Sequence, residues 1–232
     1  MTAETLSPDM TDGSLTAAEP SGDPRKVLLA MPAMDGRVEI LTIMGLLQVM
    51  AASGGAVRPY FLSGNSNIHD ARNTIANYFK LHATDCDTLV MVDTDIGFDL
   101  QAFTYLMEGD EDIVIAPYAK KQLGAAPVDF GCGFCRIARK VFLELDSWVD
   151  EEGQEMLHRY YTKDELATDY FFTGASSDAR WFGEDTGFWH WCMLRGFTLR
   201  QEKRCRLIHI GKFYYCYPDQ TPGLIPVQAG AQ

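Results

Sequence analysis

The chain has 232 residues, 47% of them hydrophobic, which is enough for one substantial core and ordinary for a soluble globular protein. Its formal charge of -12 opposes long-range attraction to nucleic acid or anionic membranes. No apolar run approaches the roughly 20 residues of a membrane helix, and the first residues lack the basic-then-apolar pattern of a secretory signal, so a cytoplasmic protein with no membrane partner is expected.

Residues 1–24 carry Glu4, Asp9, Asp12, Glu19 and Asp23 with no Lys or Arg, and read as a disordered acidic tail. A single domain is expected over 25–217, with 218–232 as a C-terminal tail. Lys26 to Pro32 is an apolar run closed by Pro, a buried first strand. Helical spacing follows from Val38 to Ala52 and stops at Gly54 and Gly55. Val57 to Leu62 reads as a second strand, and Asp70 to Ala83 as a second helix through Ala71, Ile75, Tyr78, Phe79 and Leu81. Asp87 to Asp93 is the third strand. A helix at 100–107, strands at 112–118 and 130–137, and a short helix at 138–145 continue the alternation. Between Trp148 and Asp178 the acidic and aromatic residues predict an irregular loop or lid. Asp185 to Gly196 looks helical, and Thr198 to Ile210 ends in a strand. The pattern predicts an α/β protein, a three-layer α/β/α sandwich with a mainly parallel central sheet.

Six cysteines without an export signal are expected to be free thiols. Cys132 and Cys135 form a CxxC pair, but no second close pair completes a zinc site, and small packed residues are the simpler reading. No GxxxxGK phosphate loop is present. The GxGxx run at Gly131 to Cys135 continues with Arg136 where a dinucleotide fingerprint wants Gly or Ala.

The chemistry points to Asp93 and Asp95, which follow the apolar run Leu89 to Val92. Open α/β sheets bind ligands at the carboxyl ends of their strands. Two carboxylates held there repel and lose solvation unless a cation lies between them. The plain alternative is a pair of turn or capping carboxylates.

The segment Asp70 to Asp99 resembles the core of GT-A fold glycosyltransferases, especially family 2 enzymes and their small phage relatives. Arg72 and Asn73 match that family's "ARN" helix, and Asp93 and Asp95 its DxD. Tyr118 to Lys121 (YAKK), Gly131 to Phe134 (GCGF), Gly183 to Asp185 (GED) and His209 to Gly211 (HIG) continue the match in order. The similarity spans about Lys26 to Lys212 and is poor over 148–178, the acceptor side.

The resemblance implies a GT-A (Rossmann-like) fold and a metal-dependent transfer of sugar from a nucleotide-sugar donor. Asp95, with Asp93 and His209, would hold Mn²⁺ or Mg²⁺. Asp185 would be the general base of an inverting reaction, with Glu184 as substitute. Pro32, Asp35, Arg72, Asn73, Asp93 and Lys120 would line the donor pocket, Arg72 facing the diphosphate and Lys120 phosphate or acceptor. The competing readings are a histidine satisfied by a backbone carbonyl, acidic residues favoured by a helix dipole, a solvated face for Arg72 and a plain surface pair for Lys120 and Lys121. The aromatics Trp181, Phe182, Phe188, Trp189 and Trp191 surround the GED motif and read mostly as core.

The acceptor is open: a saccharide, a protein or a hydroxymethylated DNA base. The stretch Arg200 to Lys212, locally +4, with aromatics up to Tyr217, supports nucleic acid, whereas the net charge opposes it. Two other function classes use the same residues, a metal-dependent nucleotidyltransferase or phosphohydrolase and a non-catalytic nucleotide-sugar binding module.

Overall fold

The central strands are apolar on both faces, which only a covered sheet tolerates. A computed structural model describes residues 25–122, 128–162, 165–175, 181–211 and 214–216; the expected tails at 1–24 and 218–232 lie outside the described residues. In chain order the elements are β1 (Val27–Ala33), α1 (Ile40–Ala52), β2 (Val57–Ser63), α2 (Ile68–His82), β3 (Thr88–Val92), β4 (Ile96–Gly97), α3 (Leu100–Met107), β5 (Ile113–Ile115), β6 (Phe134–Ala138) and α4 (Arg139–Asp146). They continue as β7 (Arg159–Thr162), β8 (Glu165–Thr168), β9 (Gly174–Ala175), β10 (Trp181–Phe182), α5 (Glu184–Arg195), β11 (Leu199–Gln201), β12 (Ile208–Ile210) and β13 (Tyr214–Cys216).

The main sheet has six strands in the order β11-β5-β6-β3-β1-β2. Strand β1 runs parallel to β2 and β3, and β11 parallel to β5, while β6 is antiparallel to both of its neighbours. Every residue of β1 and β3 is buried. Leu28, Ala30, Leu89 and Met91 pack with Ile75 and Phe79 of α2, Phe142 of α4 and Phe188 of α5. Their alternates Val27, Leu29, Met31, Val90 and Val92 pack with Leu46 and Val49 of α1 and Leu106 of α3. Period-two side chains therefore feed two cores, and the result is a three-layer α/β/α sandwich. Each such large side chain contributes about 1.5–3 kcal/mol by its burial.

Local signals set the helix ends. Asn67 caps α2 by accepting His69 N–H at 3.1 Å, with Asp70 in the first turn and Lys80 and His82 in the last. Gly196, at φ 85°, closes α5 in the left-handed conformation.

Two expectations need correction. The described residues of 148–178 are not wholly irregular: β7 and β8 pair antiparallel, and β9 pairs with β10. The closing strand is in fact two, because Glu202 to Leu207 separates β11, in the main sheet, from β12, which lies between β13 and β4 in a small second sheet. Cys86, Cys132, Cys135 and Cys192 are buried thiols, and Cys135 Sγ donates to Cys132 O at 3.6 Å, so the CxxC pair is core. Among the described residues no helix is long and apolar enough to cross a membrane.

Candidate active site

Strand β3 ends at Val92, and residues 93–95 turn across its carboxyl edge. Asp93 N–H donates to Gly133 O at 2.9 Å, and Ile96 N–H donates to Asp93 O at 3.0 Å, closing the turn. Thr42, buried in α1, donates its hydroxyl to Thr94 O and Ile96 O at 3.1 and 3.0 Å. Gly45 permits this approach, since a Cβ there would overlap Phe98 O. The DxD backbone is thus fixed from two sides before any ligand is considered.

Arg72 of α2 reaches this turn. Only 3% exposed, it cannot be the solvated helix residue of the competing reading. Its Nη2 donates to both oxygens of Asp93 at 3.0 and 3.2 Å, and its Nη1 to Glu184 at 2.6 Å and to Asp185. Three carboxylates converge on one guanidinium, so the cluster has an excess of negative charge. Burial, together with Glu184 and Asp93, raises the Asp185 pKa above the usual carboxylate range, against the opposing pull of Arg72. The Cys132 N–H also donates to Asp185, at 3.2 Å. Both terminal nitrogens of Arg72 are occupied by carboxylates, which makes it the counter-charge of the cluster rather than a free contact for a diphosphate.

Asp95 belongs to a second group. Strand β12 pairs antiparallel with β4, setting His209 opposite Ile96, and Ile210 N–H donates to Asp95 O at 2.8 Å. His209 Nδ1 lies 2.6 Å from Ala119 O, so this nitrogen carries a proton, and Nε2 points at Asp95 from 3.5 Å. An imidazole held through a carbonyl with its other nitrogen beside a carboxylate is the arrangement of a metal-binding histidine and its supporting shell. A backbone carbonyl thus satisfies one nitrogen of His209 while the other faces Asp95. Lys121 Nζ is paired with Asp95. Burial would raise the Asp95 pKa, but hydrogen bonds from His209 and Lys121 outweigh it and lower it. The donor set fits a divalent cation that takes two protein ligands; among the described residues no group of three or more His, Cys, Asp or Glu is arranged around one point. Asp93, engaged by Arg72, is not part of this pair.

The remaining candidates separate. Asn73 is 1% exposed, and its Oδ1 accepts Tyr170 N–H and Phe171 N–H at 2.8 and 2.9 Å while Nδ2 donates to Asp169 at 2.6 Å. It is a clamp on residues 169–171, not a donor contact. Pro32 is buried in β1; Asp35 is exposed and accepts Arg37 N–H at 3.1 Å; Lys120 is exposed. Sequence reasoning put Lys120 in the site, whereas its neighbour Lys121 is the one on Asp95. It also missed Tyr118, 6% exposed, whose ring meets His209 edge-on at 5.2 Å. A Cβ on Gly133 would lie 2.8 Å from that ring and 2.9 Å from Asp93 Oδ2, which explains the glycines of GCGF. Around the GED motif, Phe188 and Trp189 are core, whereas Trp181 is 73% exposed.

Two cations of the basic stretch are engaged by carboxylates, while Lys203 and Arg206 are exposed. Arg200 pairs with Glu111 at 3.1 Å and with Glu202, and Arg204 pairs with Glu108 and Glu202 at 2.7 and 2.6 Å. Arg200 and Arg204 are therefore not open contacts for nucleic acid; Lys212 and Phe213 lie outside the described residues.

With this geometry in view, the chain is similar to the crystal structure of A197 from STIV, at a TM-score of 0.53 and 16% identity, over 89% of this chain and 100% of that one. The two share the fold. A glycosyltransferase involved in the glycosylation of the major capsid of PBCV-1 overlaps 51% of this chain and 63% of its own, at a TM-score of 0.36 and 11% identity. No family model and no curated protein matches the chain.

Proposed function

We propose that the chain is a glycosyltransferase moving a sugar from a nucleotide-sugar donor to an acceptor hydroxyl, with Asp185 as general base and Asp95 and His209 as the protein ligands of Mn²⁺ or Mg²⁺. The observation that supports this best is the convergence of Asp93, Glu184 and Asp185 on Arg72 at the carboxyl end of β3, with Asp95 and His209 facing each other two residues further on. Burial raises the Asp185 pKa from its ordinary value, and hydrogen bonds from His209 and Lys121 lower that of Asp95, so the two carboxyl groups are tuned in opposite directions. When bound, the ion would offset charge on the departing nucleoside diphosphate.

The chain's own residues supply the rest. Arg72 orients Asp185 and keeps Asp93 and Glu184 from repelling it. Asp185 accepts the acceptor hydroxyl proton as that oxygen bonds to the anomeric carbon and the bond from this carbon to the diphosphate oxygen breaks. One displacement inverts the configuration. Glu184 is the substitute base, and Lys120 and Lys121 stand where phosphate charge would gather. Because Arg200 and Arg204 are already paired, a saccharide or protein hydroxyl suits the surface better than a hydroxymethylated DNA base.

The test is isothermal titration of the full chain with nucleoside diphosphates and nucleotide sugars, with Mn²⁺ or with chelator, beside Asp95→Ala. Metal-dependent binding of one nucleotide sugar, lost in the variant, supports the reading. Absence of binding to every donor under both conditions sinks it, and release of pyrophosphate or phosphate without an acceptor points to the nucleotidyltransferase or phosphohydrolase class.

A further inference from the structure

A cavity of about 470 Å³ lies away from the carboxylate cluster, between α2, the edge strand β2 and the β7–β8 hairpin. Its walls are fixed to one another. Asn77 of α2 donates to Thr168 O and accepts Thr168 N–H, both at 2.9 Å, which ties the hairpin to the helix. Tyr60 of β2 and Tyr78 of α2 stack with centroids 4.1 Å apart and planes 12° from parallel. Tyr160 of β7 supplies a third ring, and His82 and Glu165 meet at 3.1 Å, each about half exposed.

The lining has a definite chemical character. It joins aromatic carbon to hydroxyl, imidazole and carboxylate groups, and among the described lining residues there is no Lys or Arg. Phosphate and other anions favour cationic donors, whereas the described lining offers hydroxyls, an imidazole and a carboxylate. A hydrocarbon would cover polar groups without pairing them, which is costly. Burial and the nearby Asp70 and Asp169 push Tyr160 up to about 12, so its hydroxyl stays a neutral donor. The volume falls within the roughly 300–1,000 Å³ of small-molecule sites.

A neutral saccharide meets every one of these conditions, because its C–H faces suit tyrosine rings and its hydroxyls suit both donors and acceptors. We propose that this cavity binds a neutral saccharide, with Tyr78 and Tyr160 as stacking surfaces and Glu165 as hydrogen-bond acceptor. Tyr78 is six positions from Arg72 on the same helix, about 9 Å along its axis. Six positions turn the helix by about 240°, so Arg72 and Tyr78 face different sides of α2; any use of a glycan held here as acceptor rests on the transferase reading, whereas the binding itself does not.

The experiment is saturation-transfer NMR and calorimetry on the full chain with maltose, cellobiose and lactose, and with inorganic phosphate as a further probe. At least one disaccharide is expected to bind, with Tyr160→Ala and Glu165→Gln each weakening it by about tenfold, the loss of roughly one good contact. Binding should persist in Asp95→Asn. Melting curves identify any variant that fails to fold, and Glu165→Gln, at an exposed position, keeps the test open if Tyr160→Ala is such a one. The proposal is overturned if none of the three sugars binds the folded wild type, if both folded variants bind as wild type does, or if phosphate occupies the cavity instead. Failure of the transferase reading looks different: no donor binding, with saccharide binding intact.

Discussion

Arg72 Nη2 faces both carboxylate oxygens of Asp93, at 3.0 and 3.2 Å, although the two residues are 21 positions apart and belong to different layers of the fold. The helix carries the positive charge and the sheet edge the negative one, so each orients the other. Arg72→Met leaves Asp93, Glu184 and Asp185 without their shared counter-charge. A stability loss of about 3–5 kcal/mol is expected in urea denaturation, the usual cost of orphaning buried charge. Arg72→Lys restores charge without the planar fork and should fall between the two. A wild-type midpoint for Arg72→Met would show that the cluster does not depend on it.

Lys121 competes for the carboxylate that a metal ion would use. Lys121→Ala is expected to tighten Mn²⁺ binding several-fold, since a half-exposed pair of this kind is worth up to about 1 kcal/mol. Electron paramagnetic resonance of free Mn²⁺ in a titration reads this directly. Weaker binding in the variant would mean that Lys121 assists the site.

The raised pKa of Asp185 has a sign that kinetics can check. A base works only when ionised, so turnover should fall as pH drops through a value above the ordinary aspartate pKa of about 3.9. The same shift favours the protonated folded state, so the stability contribution of Asp185 diminishes as pH rises through that value. Asp185→Asn should abolish turnover, whereas Glu184→Gln should retain the acid limb. If Glu184→Gln is the dead variant, the roles are reversed.

Asn73→Ala removes the acceptor of two buried backbone N–H groups, at Tyr170 and Phe171. A loss of about 2–4 kcal/mol is expected in chemical denaturation, because each unsatisfied group costs roughly 1–3 kcal/mol. Donor affinity of the folded fraction should stay unchanged. A selective loss of donor binding at full stability would return Asn73 to the pocket.

The junction at Asp93 is legible in the sequence because Leu89 to Val92 excludes water on both faces and the polarity then reverses within one residue. The alternation of strands and helices is legible for the same reason, the periodicities being strong. The burial of Arg72 is not. Asp70, Arg72, Asn73 and Asn77 read as the polar residues of a surface helix, and only partners at 93, 168–171 and 184, remote in the chain, account for the burial of the last three. The β7–β8 hairpin escapes notice because its β-forming Tyr160 and Tyr161 stand among acidic residues that mask a period of two. His209 is legible as a motif, yet its pairing to β4 depends on a second sheet that no local pattern announces.

The order β11-β5-β6-β3-β1-β2 divides the main sheet into two trios whose shared ladder runs from Thr88↔Ala138 to Val92↔Phe134. Arg72, Asp93 and Asp95 come with the first trio; Cys132, Asp185 and His209 lie in the later half of the chain. The site therefore forms only where the earlier and later halves of the chain meet, with Asp185 brought by α5 and His209 by the small sheet. Opening along that ladder would separate Asp93 from the Gly133 carbonyl that fixes its backbone, so hydrogen exchange should find Leu89, Val90 and Met91 guarding the site more closely than the sheet's outer strands do.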